Sequence, residues 1–319
     1  MILQILILVA GLVLIVMGAD YLVEGASAIA RKVGISEFVI GLTIVGFGTS
    51  CPELVVSLTG AFQGNSDVSI GNVVGSNIFN SLLILGLTAL ISPVAITASN
   101  RKRDIPLTLL VTVLLVLFGM SHTLFGLGAA DNLTRVEGAV FLLLFIAYII
   151  YCFKTDAPTS DEGAEAKKVK LFWAIVMTIG GLAGLVIGGR MFVNGATSVA
   201  RMLGVSDKFI AITVLAGGTS MPELATCVVA AFKKKGQLAL GNILGSNIFN
   251  ILLILGCSAI VHPISLAGMN LVDMGAMLLS AVLIFTSCFT ARKNCIDRFD
   301  AALMLLCEVA YMVWLFVKL

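Results

Sequence analysis

The chain has 319 residues, 59% of them hydrophobic and only 12% charged, with a mean hydropathy of +1.08 and a formal net charge of +2. A soluble domain carries roughly 25% charged residues, so the composition excludes an ordinary soluble globular protein, and the small net charge excludes a nucleic-acid partner held by charge. The 7 cysteines form no CxxC pair and are read as small apolar packing residues rather than as a metal or disulfide framework.

Apolar runs long enough to cross a bilayer recur throughout, which predicts an all-α polytopic membrane protein of about ten transmembrane helices. The expected spans cover residues 2–30, 37–62, 69–95, 105–122, 134–152, 171–200, 207–232, 239–264, 272–290 and 299–317. Residues 1–17 lack a basic leader. They align with Leu171–Ile187, inside the chain, so they are read as the first span and not as a signal peptide. Asp20 and Glu24 lie in this span, and Arg190 stands in the sixth at the position matching Asp20. A place near a water-filled edge is the favoured reading for these charges, with pairing or gating as the alternative.

The second span contains Gly46–Glu53, GFGTSCPE. Glycine weakens a helix, and Pro52 lacks an N–H and crowds the carbonyl of Gly48, so the helix should kink or unwind here. Carbonyls near Gly48 and Thr49 then need a partner, which in lipid means an ion or water in a protein-lined cavity. Glu53 beside Thr49 and Ser50 is an intramembrane carboxylate, costly enough to be a functional candidate by default.

The third span opens on Gly71–Asn80, GNVVGSNIFN. Ser76 and Asn80 are four apart and share a helix face, which makes them candidate ligands. Gly71 and Gly75 fall on another face and suit close helix packing. Asn72 and Asn77 are given a structural role.

The fourth and fifth spans lead to Lys154–Lys170, KTDAPTSDEGAEAKKVK, the one long hydrophilic stretch. It is expected to be a flexible cytoplasmic linker between a first five-helix repeat, residues 1–153, and a second, residues 171–319. The second half repeats the first at an offset of 170 positions, without a gap from Gly18/Gly188 through Pro93/Pro263. Gly218–Leu224 reads GTSMPEL against GTSCPEL at Gly48–Leu54, and Gly241–Asn250 reads GNILGSNIFN. Thr219, Ser220, Glu223, Ser246 and Asn250 therefore join the candidates, while Gly241, Gly245, Asn242 and Asn247 take the structural reading. His122 and His262 have no matched counterpart and are assigned no role.

Five spans per repeat is an odd number, so the second repeat should enter the membrane from the opposite side. Alternate loops hold Arg31, Lys32, Arg101–Arg103, Lys154, Lys167, Lys168, Lys170, Lys233–Lys235, Arg292, Lys293 and Arg298, most of the 20 basic residues. The positive-inside rule then puts both termini outside. Matched loops carry opposite character: Gln63–Asn65 is uncharged where Lys233–Lys235 is basic, and Arg101–Arg103 is basic where Leu271–Asp273 is not. The lysine run is read as a solvated cytoplasmic turn.

Assembled, the candidate site offers two carboxylates, six hydroxyls, two amides and freed carbonyls. All donors are oxygen, which suits hard cations such as Ca²⁺ and Na⁺ rather than zinc or copper. Two ionised glutamates are neutralised by one Ca²⁺, by two Na⁺ or by protons. No HExxH or GxSxG motif and no histidine accompanies the repeated Ser and Glu, so an enzyme is not expected.

These paired motifs closely resemble the two alpha repeats of the sodium/calcium exchanger family, within the calcium/cation antiporter superfamily, in its compact prokaryotic form. The resemblance implies ten spans in two inverted halves and exchange of Na⁺ for Ca²⁺, with Ca²⁺ exported from the cell across the plasma membrane and no cofactor. It implies Glu53 and Glu223 as calcium carboxylates, with Thr49 and Thr219 lending carbonyls. Ser50, Ser76, Ser220 and Ser246 would help bind sodium, with Asn80 and Asn250 central and carbonyls near Gly46 and Ala216 at outer sodium sites. Spans one and six would be the moving helices. Many relatives carry aspartate at one of the positions of Asn80 and Asn250, and both are amides here; in the potassium-dependent branch the aspartate stands at the second repeat's position, so Asn250 argues against potassium dependence. A monomer is compatible with the paired repeats. A proton/calcium antiporter and a passive cation channel are the alternative functions.

Overall fold

The computed structural model describes residues 2–127, 129–155, 169–203, 216–290 and 294–318. Among the described residues, eleven helices of more than one turn and more than five residues organise the fold. They are α1 (Ile2–Val33), α2 (Glu37–Thr49), α3 (Cys51–Phe62), α4 (Ser66–Ile91), α5 (Ile105–Gly119), α6 (Arg135–Thr155), α7 (Leu171–Met202), α8 (Met221–Phe232), α9 (Gly236–Val261), α10 (Leu271–Thr286) and α11 (Arg298–Lys318). Among the described residues, 6 are long and apolar enough to cross a membrane, and the bent pair α2–α3 makes a seventh. α5, α8 and α10 are shorter and apolar. Most of the expected linker, residues 156–168, and the start of the expected seventh span, residues 207–215, lie outside the described residues.

The matched helices α1 and α7 run antiparallel in close contact. Gly11 faces Gly188 and Phe192, Gly18 faces Gly181 and Leu185, and Gly25 faces Ala174 and Thr178. Residue numbers thus rise along one helix as they fall along the other, as an inverted repeat requires. A Cβ at Gly18 would stand 2.8 Å from the Gly181 carbonyl oxygen, so this contact admits only glycine.

Burial grades the helices by depth. Within the apolar windows, 83% of α9 and 67% of α4 is buried, against 22–28% of α1, α6, α7 and α11. α4 and α9 are therefore the centre, and the long helices face lipid. Gly241 and Gly245 lie directly against Phe38–Leu42 of α2, which supports the packing reading of that GxxxG. The residues matched to Phe38–Leu42 are 208–212, outside the described residues.

Short antiparallel strands join the halves. β1 (Val94–Ala95) pairs with β4 (Cys295–Ile296), and β2 (Asn132–Leu133) pairs with β3 (Ile264–Ser265). β1 and β3 follow matched spans yet sit in separate sheets, each paired with the strand before the other repeat's last span. Helix contacts repeat the scheme: Arg298 Nε donates to the Leu90 carbonyl at 3.3 Å and Arg135 Nε to the Ile260 carbonyl at 3.1 Å. Tyr148 donates to Asp104 Oδ1 at 2.8 Å, and Tyr311 to Asp273 Oδ1 at 2.9 Å.

Several expected limits shift. The third and eighth spans end at Ile91 and Val261 because Ser92 and His262 adopt extended backbone ahead of Pro93 and Pro263. The second span breaks at Ser50 into two helices meeting at 49°, where the glycines and Pro52 lead one to expect a kink or unwinding. Wide π-helical turns at Gly41–Val45, Phe79–Ile84 and Phe249–Leu255 interrupt helices that the sequence reading treats as regular.

Candidate functional site

Pro52 and Pro222 each occupy the first turn of a helix, where a missing N–H costs nothing. Ser50 (φ −82°, ψ 5°) is the break between the half-helices α2 and α3, and Ser220 (φ −89°, ψ 8°) stands at the same place before α8, with a short turn at Ala216–Gly218 ahead of it. Glu53 and Glu223 follow in the first turn, where the helix N-terminus favours negative charge. Each is only 1% exposed, so neither faces lipid.

Contacts from these serines cross over between repeats. Ser50 Oγ lies 3.1 Å from Glu223 Oε1 and 2.9 Å from Ser246 Oγ. Ser220 Oγ lies 3.1 Å from Glu53 Oε1 and 3.2 Å from Ser76 Oγ, and Ser76 Oγ is 3.5 Å from Glu53 Oε1. Each carboxylate is thus held on one oxygen by the hydroxyl of the opposite repeat. The second oxygens, Glu53 Oε2 and Glu223 Oε2, are buried without a hydrogen-bond partner.

Asn80 and Asn250 lie in the wide turns of α4 and α9, where those helices cross. Asn80 Nδ2 donates to Asn247 Oδ1 at 3.3 Å, and Asn250 Nδ2 donates to Asn77 Oδ1 at 2.9 Å. Their oxygens, Asn80 Oδ1 and Asn250 Oδ1, are again buried without a partner. Orphaned oxygens in a protein interior are rare and costly. Among the described residues four pairs matched between the repeats are left so: the hydroxyls Ser27/Thr197 and Thr88/Ser258, and two acceptor-only pairs, the carboxylates Glu53/Glu223 and the amides Asn80/Asn250, which suit cations.

The threonines differ. Thr49 is buried and its Oγ1 donates to Asn242 Oδ1 at 3.1 Å. Thr219 Oγ1 has no partner and borders a cavity of about 230 Å³ also lined by Pro52, Pro222, Arg190 and Asn194. Hydrogen bonds join Ser50, Glu223 and Ser246 in one group and Ser220, Glu53 and Ser76 in the other. The backbone at Ala216 forms a helical turn with Gly217 and Gly218.

Sequence reasoning assigned Asn77 and Asn247 only a structural role; they are the partners that orient Asn250 and Asn80. Asn72 donates to the Glu53 carbonyl at 3.1 Å and to Ser57 Oγ at 2.9 Å, while Asn242 donates to Cys227 Sγ at 3.3 Å. The periodicity of a single helix gives no sign of such partners, because they come from the other helix.

The lone charges of α1 meet the lysines that follow α8. Asp20 pairs not with Arg190 but with Lys233, at 2.7 Å, and Lys233 also reaches Glu24 at 2.9 Å. Partial burial works against the Lys233 charge, but its bonds to Asp20 and Glu24 outweigh that and hold its ammonium above the ordinary lysine range. The Lys233–Lys235 run is therefore no freely solvated turn: Lys233 and Lys235 fold back toward α1.

The sequence pattern of the family described as sodium/calcium exchanger protein matches residues 3–154 and 173–317. The chain is 36% identical to the sodium/calcium exchanger MaX1 of Methanosarcina acetivorans over 349 aligned positions, covering 98% of each chain. It is 36% identical to the inner membrane protein YrbG of Escherichia coli, covering 82% of this chain and 81% of that one. Among solved structures, the sodium-calcium exchanger NCX_Mj soaked with 10 mM Na⁺ and no Ca²⁺ superposes with a TM-score of 0.85 at 32% identity, covering 98% of both chains.

Proposed function

The chain belongs to the sodium/calcium exchanger family, a family of membrane antiporters and not of enzymes, and from that premise we propose that it exports Ca²⁺ from the cell in exchange for entering Na⁺. The observation that carries this reading is the set of four matched orphan oxygens on Glu53, Glu223, Asn80 and Asn250. Glu53 and Glu223 bind Ca²⁺. Ser50, Ser76, Ser220 and Ser246 contribute to Na⁺ sites, and Thr49 and Thr219 lend backbone carbonyls. Na⁺ and Ca²⁺ compete for the same oxygens.

Exchange follows from the cost of the unloaded site. Two bare carboxylates out of water cost several kcal/mol on any scale. Either one Ca²⁺ or a set of Na⁺ offsets that cost, so the helices rearrange when loaded. The pair α1 and α7 moves as one unit past the site, because their glycine contact runs along both helices while their outer faces meet only lipid. The first repeat, residues 1–153, and the second, residues 171–319, are joined by a cytoplasmic linker at 154–170, with both termini outside. The cavity beside Thr219 is the approach to the site from the outer face.

Sodium-gradient-driven uptake of radiolabelled Ca²⁺ into vesicles tests this. Uptake that survives Glu53→Gln or Glu223→Gln overturns the site. Uptake driven by a pH gradient without Na⁺ replaces Na⁺ by H⁺ as the coupled ion, and flux without a counter-ion replaces exchange by a channel.

A further inference from the structure

The pair α1 and α7 is tied to the rest of the molecule at one end only. Gly25 faces Ala174 and Thr178 while Gly195 faces Leu8, so Asp20 and Glu24 lie toward one end of the pair and their counterparts, Arg190 and Asn194, toward the other. At the first end α1 packs along α8. Lys233 reaches Asp20 at 2.7 Å and Glu24 at 2.9 Å, and Lys235 lies 3.8 Å from Glu24. At the other end the matched helices, α7 and α3, are parted. The cavity of about 230 Å³ lies between them, with Pro52, Val55 and Val56 on one wall and Gly189, Arg190 and Val193 on the other.

The turns that follow α8 and α3 have the same backbone. Lys233 and Gln63 end their helices at φ −83° and −86°. Lys234 and Gly64 are left-handed at φ 57° and 68°. Lys235 and Asn65 donate to the Ala230 and Gly60 carbonyls, each at 2.8 Å. Only the side chains differ. Lys233–Lys235 is basic and meets acids, whereas Gln63–Asn65 is uncharged and its matched partners are Arg190 and Asn194. Arg190 makes no ion pair among the described residues. Asp67, the next acid along the chain from that turn, lies against Gly268. In an inverted repeat the alternate state exchanges the two ends, with α7 closing on α3 as α1 parts from α8. That exchange breaks the ion pairs of Lys233 and Lys235 and makes none in return.

We propose that Lys233 and Lys235 latch α1 to α8 in only one of the two end states of exchange, so that the unloaded chain rests closed at the Lys233 end and open at the Gln63 end. The proposal rests on the reading of exchange as a joint movement of α1 and α7 past the site. Ions arriving at the latched end meet a competent site only in the fraction of molecules whose latch is open, and their apparent affinity falls by that fraction. Ions arriving at the other end carry no such penalty.

Thiol labelling of the purified full chain tests this apart from transport. Thr226, the counterpart of Val56, is fully buried on α8. In Thr226→Cys a maleimide reaches position 226 only when α1 parts from α8, so the labelling rate follows the population of the alternate state. Mass spectrometry with fragmentation locates the label. Lys233→Gln should raise the rate about two- to fivefold at low salt, the scale of partly exposed ion pairs, and the rise should vanish at about 1 M salt. Lys234→Gln removes the same charge from an exposed side chain outside the ion pairs and should leave the rate unchanged. Gln63→Glu gives Arg190 an acid to close on and should also raise the rate, but not when combined with Arg190→Gln. No change with Lys233→Gln, an equal rise with Lys234→Gln, or a rise that survives high salt overturns the proposal. A rise shared by native Cys227, which faces Ala239 and Asn242 on α9, marks local unfolding and overturns it too. Ala225→Cys reads the same parting if Thr226→Cys does not fold. The expected labelling in a chain without Na⁺-driven Ca²⁺ uptake would instead overturn the exchanger reading and leave the latch standing.

Discussion

The two halves of the candidate site carry the same oxygens on different scaffolds. Glu53 and Glu223, Ser50 and Ser220, and Ser76 and Ser246 adopt matched contacts within a few tenths of an ångström. The supports behind them diverge. Ser57 stands where the second repeat has Cys227, and Ser81 where it has Ile251. Thr49 is bonded to Asn242, while Thr219 is unpartnered beside a cavity. Duplication supplied two equal sets of oxygens, and later divergence altered the groups that aim them. The candidate oxygens are thus near-symmetric while the groups packed behind them are not.

The largest test of that symmetry is Glu53→Gln against Glu223→Gln. Both should reduce Na⁺-driven Ca²⁺ uptake by more than about 100-fold, since removing one charge from a buried charged group costs roughly 3–5 kcal/mol. A large loss from only one would break the equivalence. Next, Ser50→Ala and Ser220→Ala each remove a hydroxyl from a carboxylate oxygen. A bond to a charged group contributes about 1.5–3 kcal/mol, so half-saturating Ca²⁺ should rise roughly 10- to 100-fold for each. Unequal shifts would show that the scaffolds reach the ligands.

Smaller effects probe the divergent supports directly. Cys227→Ser gives the second repeat the hydroxyl of the first at the Asn242 contact, and exchange should change by less than about threefold, an amount set by one polar contact. A large loss would mean that the thiol is required. Lys233→Gln removes the tie from the end of α8 to Asp20 and Glu24 on α1. These charges are partly exposed, so the effect on transport should be about twofold and should vanish at high salt. Salt-independent inactivation would assign that turn a role beyond holding α1.

Much of this was legible in the chain. The repeat offset, the Pro–Glu pairs and the opposed loop charges gave the inverted architecture, because duplication and bilayer polarity are written directly into residue order. Glu53 and Glu223 stood out since charge in a span is expensive. The breaks at Ser50 and Ser220 followed from the prolines, though not the 49° between the half-helices. The wide turns at Phe79–Ile84 and Phe249–Leu255 were not legible, nor was the pairing of Lys233 with Asp20.

Residue order by itself determined the spans, the twofold plan and the chemical nature of the donors. Only the tertiary structure decided which oxygens are free, because a hydrogen bond between Asn77 and Asn250, 173 residues apart, exists only once α4 and α9 cross. Local pattern governs what a helix exposes on each face. What meets that face, and which end of an amide it claims, is settled by packing between helices from opposite ends of the chain.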